Sequence, residues 1–116
     1  MTDLEFVRAD PSHPAWRSPL ARALAHAPAG VRDVSAEAQD GPLGLAAGIA
    51  GLEIEAPFAR TLLARLTELE PPAVGAFAHI RAQMTVVGDD RYRIWFPQEY
   101  ADYLAHAVLD AWQGLA

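Results

Sequence analysis

The side chains best suited to metal or acid–base chemistry in this sequence are its four histidines, which lie far apart. His13, His26, His79 and His106 fall in four different segments, and no His-x-x-x-His or His-Glu pairing occurs. A metal site would require the fold to bring together ligands that the sequence keeps separate. We therefore expect hydrogen-bonded or solvated histidines, with no bound metal and no cofactor.

A nucleophile activated for catalysis is equally hard to identify. The sequence contains no cysteine and no lysine, which excludes thiol nucleophiles, cysteine-bound zinc, Schiff bases and a lysine-containing P-loop. Its serines are Ser12, Ser18 and Ser35, and none lies in the Gly-x-Ser-x-Gly sequence that exposes a hydrolase serine. No catalytic residue is assigned, and the sequence favours a chain that is not catalytic on its own.

One pair of carboxylates has a spacing that could support chemistry. Glu53 and Glu55 alternate with Leu52 and Ile54 in a strand-like pattern, which places the two acids about 7 Å apart on one strand face. Such a pair could act as general acid and base. A solvated strand face explains the same pattern, and this second interpretation is favoured.

The remaining candidate is a surface on a predicted β-hairpin. Apolar residues alternate with polar ones over residues 76–87, the turn residues Gly88-Asp89-Asp90 follow, and the alternation resumes over 91–96. The outward face would carry His79, Arg81, Gln83, Arg91, Arg93 and Trp95. Arginine and tryptophan anchor protein partners and stack on planar or anionic ligands, so these six form the candidate binding site. A polar sheet face left in water is the alternative.

The elements around this hairpin predict an α+β fold. Residues 1–17 carry two prolines and are interpreted as an extended lead-in, and residues 18–116 as a single domain that begins with a short helix at Ser18-Pro19. After a brief strand near Val31, the hydrophobic periodicity predicts the order β-α-β-β-α over residues 45–55, 57–69, 76–87, 91–96 and 97–115. We expect the helices to cover one face of a mostly antiparallel sheet.

Composition limits the classes of partner. Of the 116 residues, 52% are hydrophobic, which is enough to form one self-supporting core. The net charge is -6, which is the wrong sign for binding a phosphate backbone. We expect no nucleic-acid binding. No apolar run is long enough for a membrane span, and the acidic first ten residues do not resemble a signal peptide, so the expected location is the cytoplasm.

Three sequence strings resemble the superfamily of the glycine-cleavage T-protein and the sarcosine oxidase gamma subunit. The first is Gly30-Val31-Arg32-Asp33-Val34-Ser35, and the second is Gly51-Leu52-Glu53-Ile54-Glu55-Ala56-Pro57 with the Leu62-Leu63 and Leu66-Thr67 pairs after it. The third runs from Gly88 to Pro97 and into Tyr100-Ala101-Asp102-Tyr103-Leu104, and is similar to the hairpin strand and following helix of gamma subunits. The resemblance covers about residues 30 to 116 and concerns structural rather than catalytic positions.

The resemblance implies that the protein functions in a complex with another polypeptide chain. Ala56 replaces a glycine that is usual in the family, and the strand at His79–Met84 lacks the acidic residue of the folate-using members, which argues against folate-dependent transfer. The family domain also has a second, similar half that this chain lacks, so a second copy or a larger subunit should cover the open sheet edge. The leading hypothesis is a non-catalytic subunit or adaptor that docks to itself or to a larger oxidoreductase-type partner. The alternative is a small folate- or pterin-binding protein of one-carbon metabolism, with Arg81, Arg93 and Trp95 holding the ligand.

Overall fold

The computed structural model describes residues 19–40 and 48–116 of the chain. Its helices are α1 (Pro19–Ala23), α2 (Ala59–Leu66) and α3 (Ala101–Leu115), with 3-10 helices at Ser35–Asp40 and Gln98–Tyr100. Its strands are β1 (Val31–Asp33), β2 (Ile49–Glu55), β3 (Ala73–Phe77), β4 (Ile80–Gly88) and β5 (Arg91–Pro97). The predicted lead-in, Ser18 and residues 41–47 lie outside the described residues.

The five strands form one antiparallel sheet in the order β1-β2-β5-β4-β3. Alternation along each strand sends one set of side chains toward the helices, so that Leu52, Ile94 and Met84 are buried in one core with Leu62 of α2 and Leu104 of α3. The α+β class, with helices on one face of an antiparallel sheet, is confirmed. Among the described residues, no helix combines the length and the apolar character that crossing a membrane requires.

The structure differs from the predicted element order in one place. Residues 76–87 are not a single strand, because the chain turns at Ala78-His79 and creates the additional strand β3. Both turn residues have positive φ, 50° and 73°, as a two-residue hairpin turn requires. Neither is the glycine, asparagine or aspartate that usually marks such a turn, so local sequence gave no signal for it.

Contacts from the rest of the chain hold this turn. The N–H of Ala78 donates a hydrogen bond to the Leu66 carbonyl, and the Ala78 carbonyl accepts one from the Tyr103 hydroxyl at 2.9 Å. The turn is thereby fixed to the end of α2 and to α3, which offsets the conformational cost of two positive φ angles. The hairpin predicted farther along, with its turn at Asp89-Asp90, is present as β4 and β5 with a bulge between Val86 and Gly88.

Candidate functional site

The sheet face opposite the helices, here called the outer face, carries an ionic cluster built by strand register. Arg32, Glu53, Arg93 and Thr85 are successive cross-strand neighbours on β1, β2, β5 and β4. Directly opposed side chains lie close enough to interact. Register therefore places the Glu53 carboxylate between two arginines that are distant in sequence.

Glu53 is the centre of this cluster. Its side chain has no exposed surface, and its carboxylate accepts hydrogen bonds from Arg32 Nη2 and from Arg93 Nε, the latter at 2.8 Å. Arg91 Nε lies 3.4 Å from Glu53 Oε2. A buried carboxylate is tolerated only when it is paired and hydrogen-bonded, and here the guanidinium groups of Arg32 and Arg93 meet that requirement. Arg91 is close enough for an ion pair, but its buried Nε makes no hydrogen bond among the described residues.

The electrostatics of the cluster follow from these contacts. Burial is the largest single influence on Glu53 and by itself would raise its pKa, but hydrogen bonds from Arg32 and Arg93 outweigh it and hold the pKa below the ordinary value. The hydrogen bond to Glu53 likewise raises the pKa of Arg32 and of Arg93. All three groups therefore stay charged at neutral pH.

The cluster is balanced in charge within the chain. Arg93 Nη1 also donates to Glu37 Oε1 at 2.7 Å, and Glu55 is the cross-strand neighbour of Arg91. Three arginines thus lie beside three carboxylates, of which Glu53 and Glu37 form ion pairs. With no surplus positive charge, the cluster has little to offer an anionic ligand and is best understood as a tie between β1, β2, β5 and the 3-10 helix at Ser35–Asp40.

Trp95 is also committed to internal packing. Its side chain is only 3% exposed and packs with Val34 and Ile49. Its ring lies over Gly51, where a β-carbon would come within 2.4 Å of Trp95 Cζ3. Trp95 Nε1 and the Oε1 of its neighbour Gln83 are buried without a hydrogen bond among the described residues. Burying these unsatisfied polar atoms lowers the stability of the fold.

The structure divides the six predicted binding residues into two groups. Arg91, Arg93, Trp95 and Gln83 lie together on the outer face as expected, but their side chains are half-buried or buried and the first two contact Glu53. His79 and Arg81 are exposed, and Arg81 lies on the same face as Gln83, which follows it by two residues on β4. His79 is in the β3–β4 turn, and Arg81 is the cross-strand neighbour of Ala76 on β3.

The expectation for Glu53 and Glu55 changes as well. Glu55 is exposed, as a solvated strand face predicts, whereas Glu53 is fully buried, so the solvated interpretation is wrong for Glu53. The reason is the neighbouring strand. Sequence alone did not show that β2 would lie beside β5 and face its arginines.

A second surface, not predicted from the sequence, lies along β3. A groove of about 830 Å³ runs between the end of α2, β3 and the first half of α3. Of the six large hydrophobic side chains that are exposed in the described part of the chain, three line this groove, namely Leu69, Val74 and Tyr103. His79 lines it too, and Arg81 is beside it. We call Leu69, Val74, His79, Arg81 and Tyr103 the β3 edge surface.

The backbone of β3 is only partly covered along this surface. β3 pairs with β4 on one side and with no strand on the other among the described residues. The Thr67 hydroxyl donates to the Ala76 carbonyl at 2.8 Å, so the end of α2 covers the Phe77 end of the strand. Val74, near the opposite end, is 57% exposed. Concentrated apolar exposure beside an unpaired strand is typical of a docking surface.

Comparison with known proteins identifies no family for this chain. The chain matches no protein-family model, and no curated protein matches it. Its resemblance to the T-protein and gamma-subunit superfamily therefore stays a prediction. In the described ranges 19–40 and 48–116, no group of three or more His, Cys, Asp or Glu side chains is placed to hold a metal ion.

Proposed function

We propose that this protein is a non-catalytic docking subunit or adaptor that binds another protein chain through the β3 edge surface. The observation that carries the proposal is the coincidence of an unpaired strand with half of the exposed large hydrophobic side chains of the described residues. Exposed apolar groups that cluster beside free backbone groups favour association with another polypeptide.

The ionisable groups support a docking rather than a catalytic role. Among the described residues, the pKa values that clearly depart from their ordinary range belong to Arg32, Glu53 and Arg93. Glu53 pairs with both arginines, inside a cluster whose charge Glu37 and Glu55 balance, whereas a catalytic acid or base must be free to exchange a proton with a substrate. The perturbed groups are thus used for structure.

The partner in this proposal is another protein, either a second copy or a larger oxidoreductase-type subunit as the sequence resemblance implies, and the location is the cytoplasm. The folate- or pterin-binding alternative stays a prediction and gains no support from the geometry. Two of the residues assigned to that ligand, Arg93 and Trp95, are already engaged by Glu53, Glu37 and Gly51.

The proposal is tested by comparing two arginine substitutions. Val74→Arg places a charge in the β3 edge surface, and Val86→Arg is the matched control, because Val86 is also a half-exposed strand valine but lies on β4 outside the groove. The tagged full-length chain is used to capture proteins from its native host. A captured protein is then purified and titrated back by calorimetry.

The expected result is near-stoichiometric association of the wild type and of Val86→Arg, with binding weakened at least about tenfold in Val74→Arg, since a buried unpaired charge costs more than about 1.4 kcal/mol. A chain that is monomeric and captures nothing contradicts the proposal. So does equal binding by the two variants, or turnover of a metabolite by the purified chain alone.

A further inference from the structure

The edge strand β3 contributes less to the core than the central strands of the sheet do. Of the five residues of β3, Phe77 alone is buried. By contrast, β2 buries Leu52 and Ile54, and β5 buries Ile94 and Phe96. Burial of apolar side chains is the main contribution that keeps a strand in place. Detaching β3 therefore exposes less apolar surface than detaching either central strand.

The turn that joins β3 to β4 depends on contacts from outside itself. Ala78 and His79 both have positive φ, a backbone conformation that costs energy for residues other than glycine. The Ala78 N–H donates to the Leu66 carbonyl at 2.6 Å, and the Tyr103 hydroxyl donates to the Ala78 carbonyl at 2.9 Å. Because the alternating sequence favours a continuous strand here, these two bonds keep the chain in the turn conformation.

We propose that β3 and its turn form a latch, a unit that opens from β4 while the other four strands and the three helices stay folded. β3 pairs with β4 alone among the described residues, so the pairing of β1, β2, β5 and β4 does not depend on it. Tyr103 controls how often the latch opens, because its hydroxyl bonds to Ala78 in the closed form and loses that bond in the open form.

The β3 edge surface exists in the closed form of the latch. Leu69 packs on Gly75 of β3, Val74 belongs to β3, and Tyr103 holds the turn. A protein that docks on these residues binds the closed form, so it must reduce opening by mass action. This consequence rests on the proposed function, whereas the latch itself is a property of the chain alone.

Hydrogen exchange of backbone amides measures the opening directly. Phe77 and Ile80 flank the two-residue turn and are opposed in register, so they form a hydrogen-bonded pair, and the amides of Phe77 and Gly75 point to β4. Ile94 lies on β5, between β2 and β4, and reports unfolding of the whole chain. After correction for intrinsic rates, the Gly75 and Phe77 amides should exchange at least about tenfold faster than that of Ile94.

Two substitutions separate opening of the latch from unfolding of the whole chain. Tyr103→Phe removes a bond made in the closed form, so the Gly75 and Phe77 amides should exchange about fivefold faster, which is the factor for one net hydrogen bond. Glu53→Gln is the matched control, because its cluster lies on β1, β2 and β5 and stays intact when the latch opens. It should leave those two amides unchanged while the Ile94 amide exchanges about thirtyfold faster or more.

The latch is overturned if the Gly75 and Phe77 amides exchange no faster than that of Ile94, or if Glu53→Gln speeds all three equally. Wild-type exchange of β3 in Tyr103→Phe overturns it too, and each of these results leaves the proposed function in place.

A purified partner protein gives a separate measurement. At about ten times its Kd, it should slow exchange of the Gly75 and Phe77 amides roughly tenfold. Exchange of β3 that this protein does not change contradicts docking on the β3 edge surface and leaves the latch in place. The failure of one proposal is thereby distinguished from the failure of the other.

Discussion

The substitution Glu53→Gln isolates the ionic cluster on the outer face. Glutamine keeps the shape and one hydrogen-bond acceptor of Glu53 but removes the charge that Arg32, Arg91 and Arg93 surround. Removing one partner of a buried ion pair costs about 3–5 kcal/mol of unfolding free energy. Arg32 and Arg91 each keep more than a third of their side-chain surface in solvent, so water compensates them in part, and we expect a loss of about 2–3 kcal/mol.

The assay is chemical unfolding in urea at pH 7, followed by circular dichroism, together with thermal unfolding. At roughly 4 °C per kcal/mol for a domain of this size, the melting temperature should fall by about 8–12 °C. Glu55→Gln is the control, because Glu55 is on the same strand face but exposed, and surface changes of this kind usually stay within about 0.5 kcal/mol. Similar losses of stability in the two variants would contradict the argument that the buried charge of Glu53 contributes more to the fold than the exposed charge of Glu55.

The pH dependence of the stability lost in Glu53→Gln tests whether that loss is electrostatic in origin. The pKa of Glu53 is lower in the folded chain than its ordinary value of 4.5, so the ionised carboxylate stabilises the fold above pH 4.5. That contribution is lost as the pH falls below 4.5 and through the folded pKa. The stability difference between wild type and Glu53→Gln should therefore be constant from pH 6 to 8 and shrink in acid. A difference that stays unchanged down to the acid limit of folding would refute the electrostatic explanation.

Three further substitutions probe the packing and turn that position the two surfaces. Gly51→Ala should destabilise the chain by about 1–3 kcal/mol in urea unfolding, because its β-carbon would meet the Trp95 ring; a neutral result would mean that the ring moves freely. His79→Gly should stabilise it by about 1 kcal/mol, because glycine adopts the positive φ at this position without strain, and no gain would show that the turn is unstrained. Tyr103→Phe should lose about 1 kcal/mol with the hydrogen bond to the Ala78 carbonyl, and wild-type stability would show that this bond does not hold the turn.

Elements with a clear hydrophobic period were predictable from sequence. The spacing of apolar residues indicated α2 and α3, and the alternation with the Asp89-Asp90 turn indicated the pairing of β4 with β5. The α+β class followed from these elements. Periodicity reports which side of a helix or strand is apolar, and that information is local.

The candidate site was less predictable because it depends on contacts between distant segments. The sequence indicated that Arg91, Arg93 and Trp95 share one strand face, which they do. It did not show that β2 lies next to β5, and that neighbour supplies Glu53 and Gly51 to engage Arg93 and Trp95. A strand face that looks polar in sequence becomes internal once a neighbouring strand provides opposite charges.

The β3 edge surface was not predicted from the sequence for the same reason. The alternation over residues 76–87 predicts one strand, and only the turn at Ala78-His79 separates Ala73–Phe77 from it as an edge strand. That turn is fixed by Leu66 and Tyr103, which belong to two different helices. Any change that releases the turn should therefore disturb β3 and its contacts before it disturbs the Glu53 cluster, which lies on β1, β2 and β5. Association and acid stability should consequently respond to different substitutions, Val74→Arg affecting the first and Glu53→Gln the second.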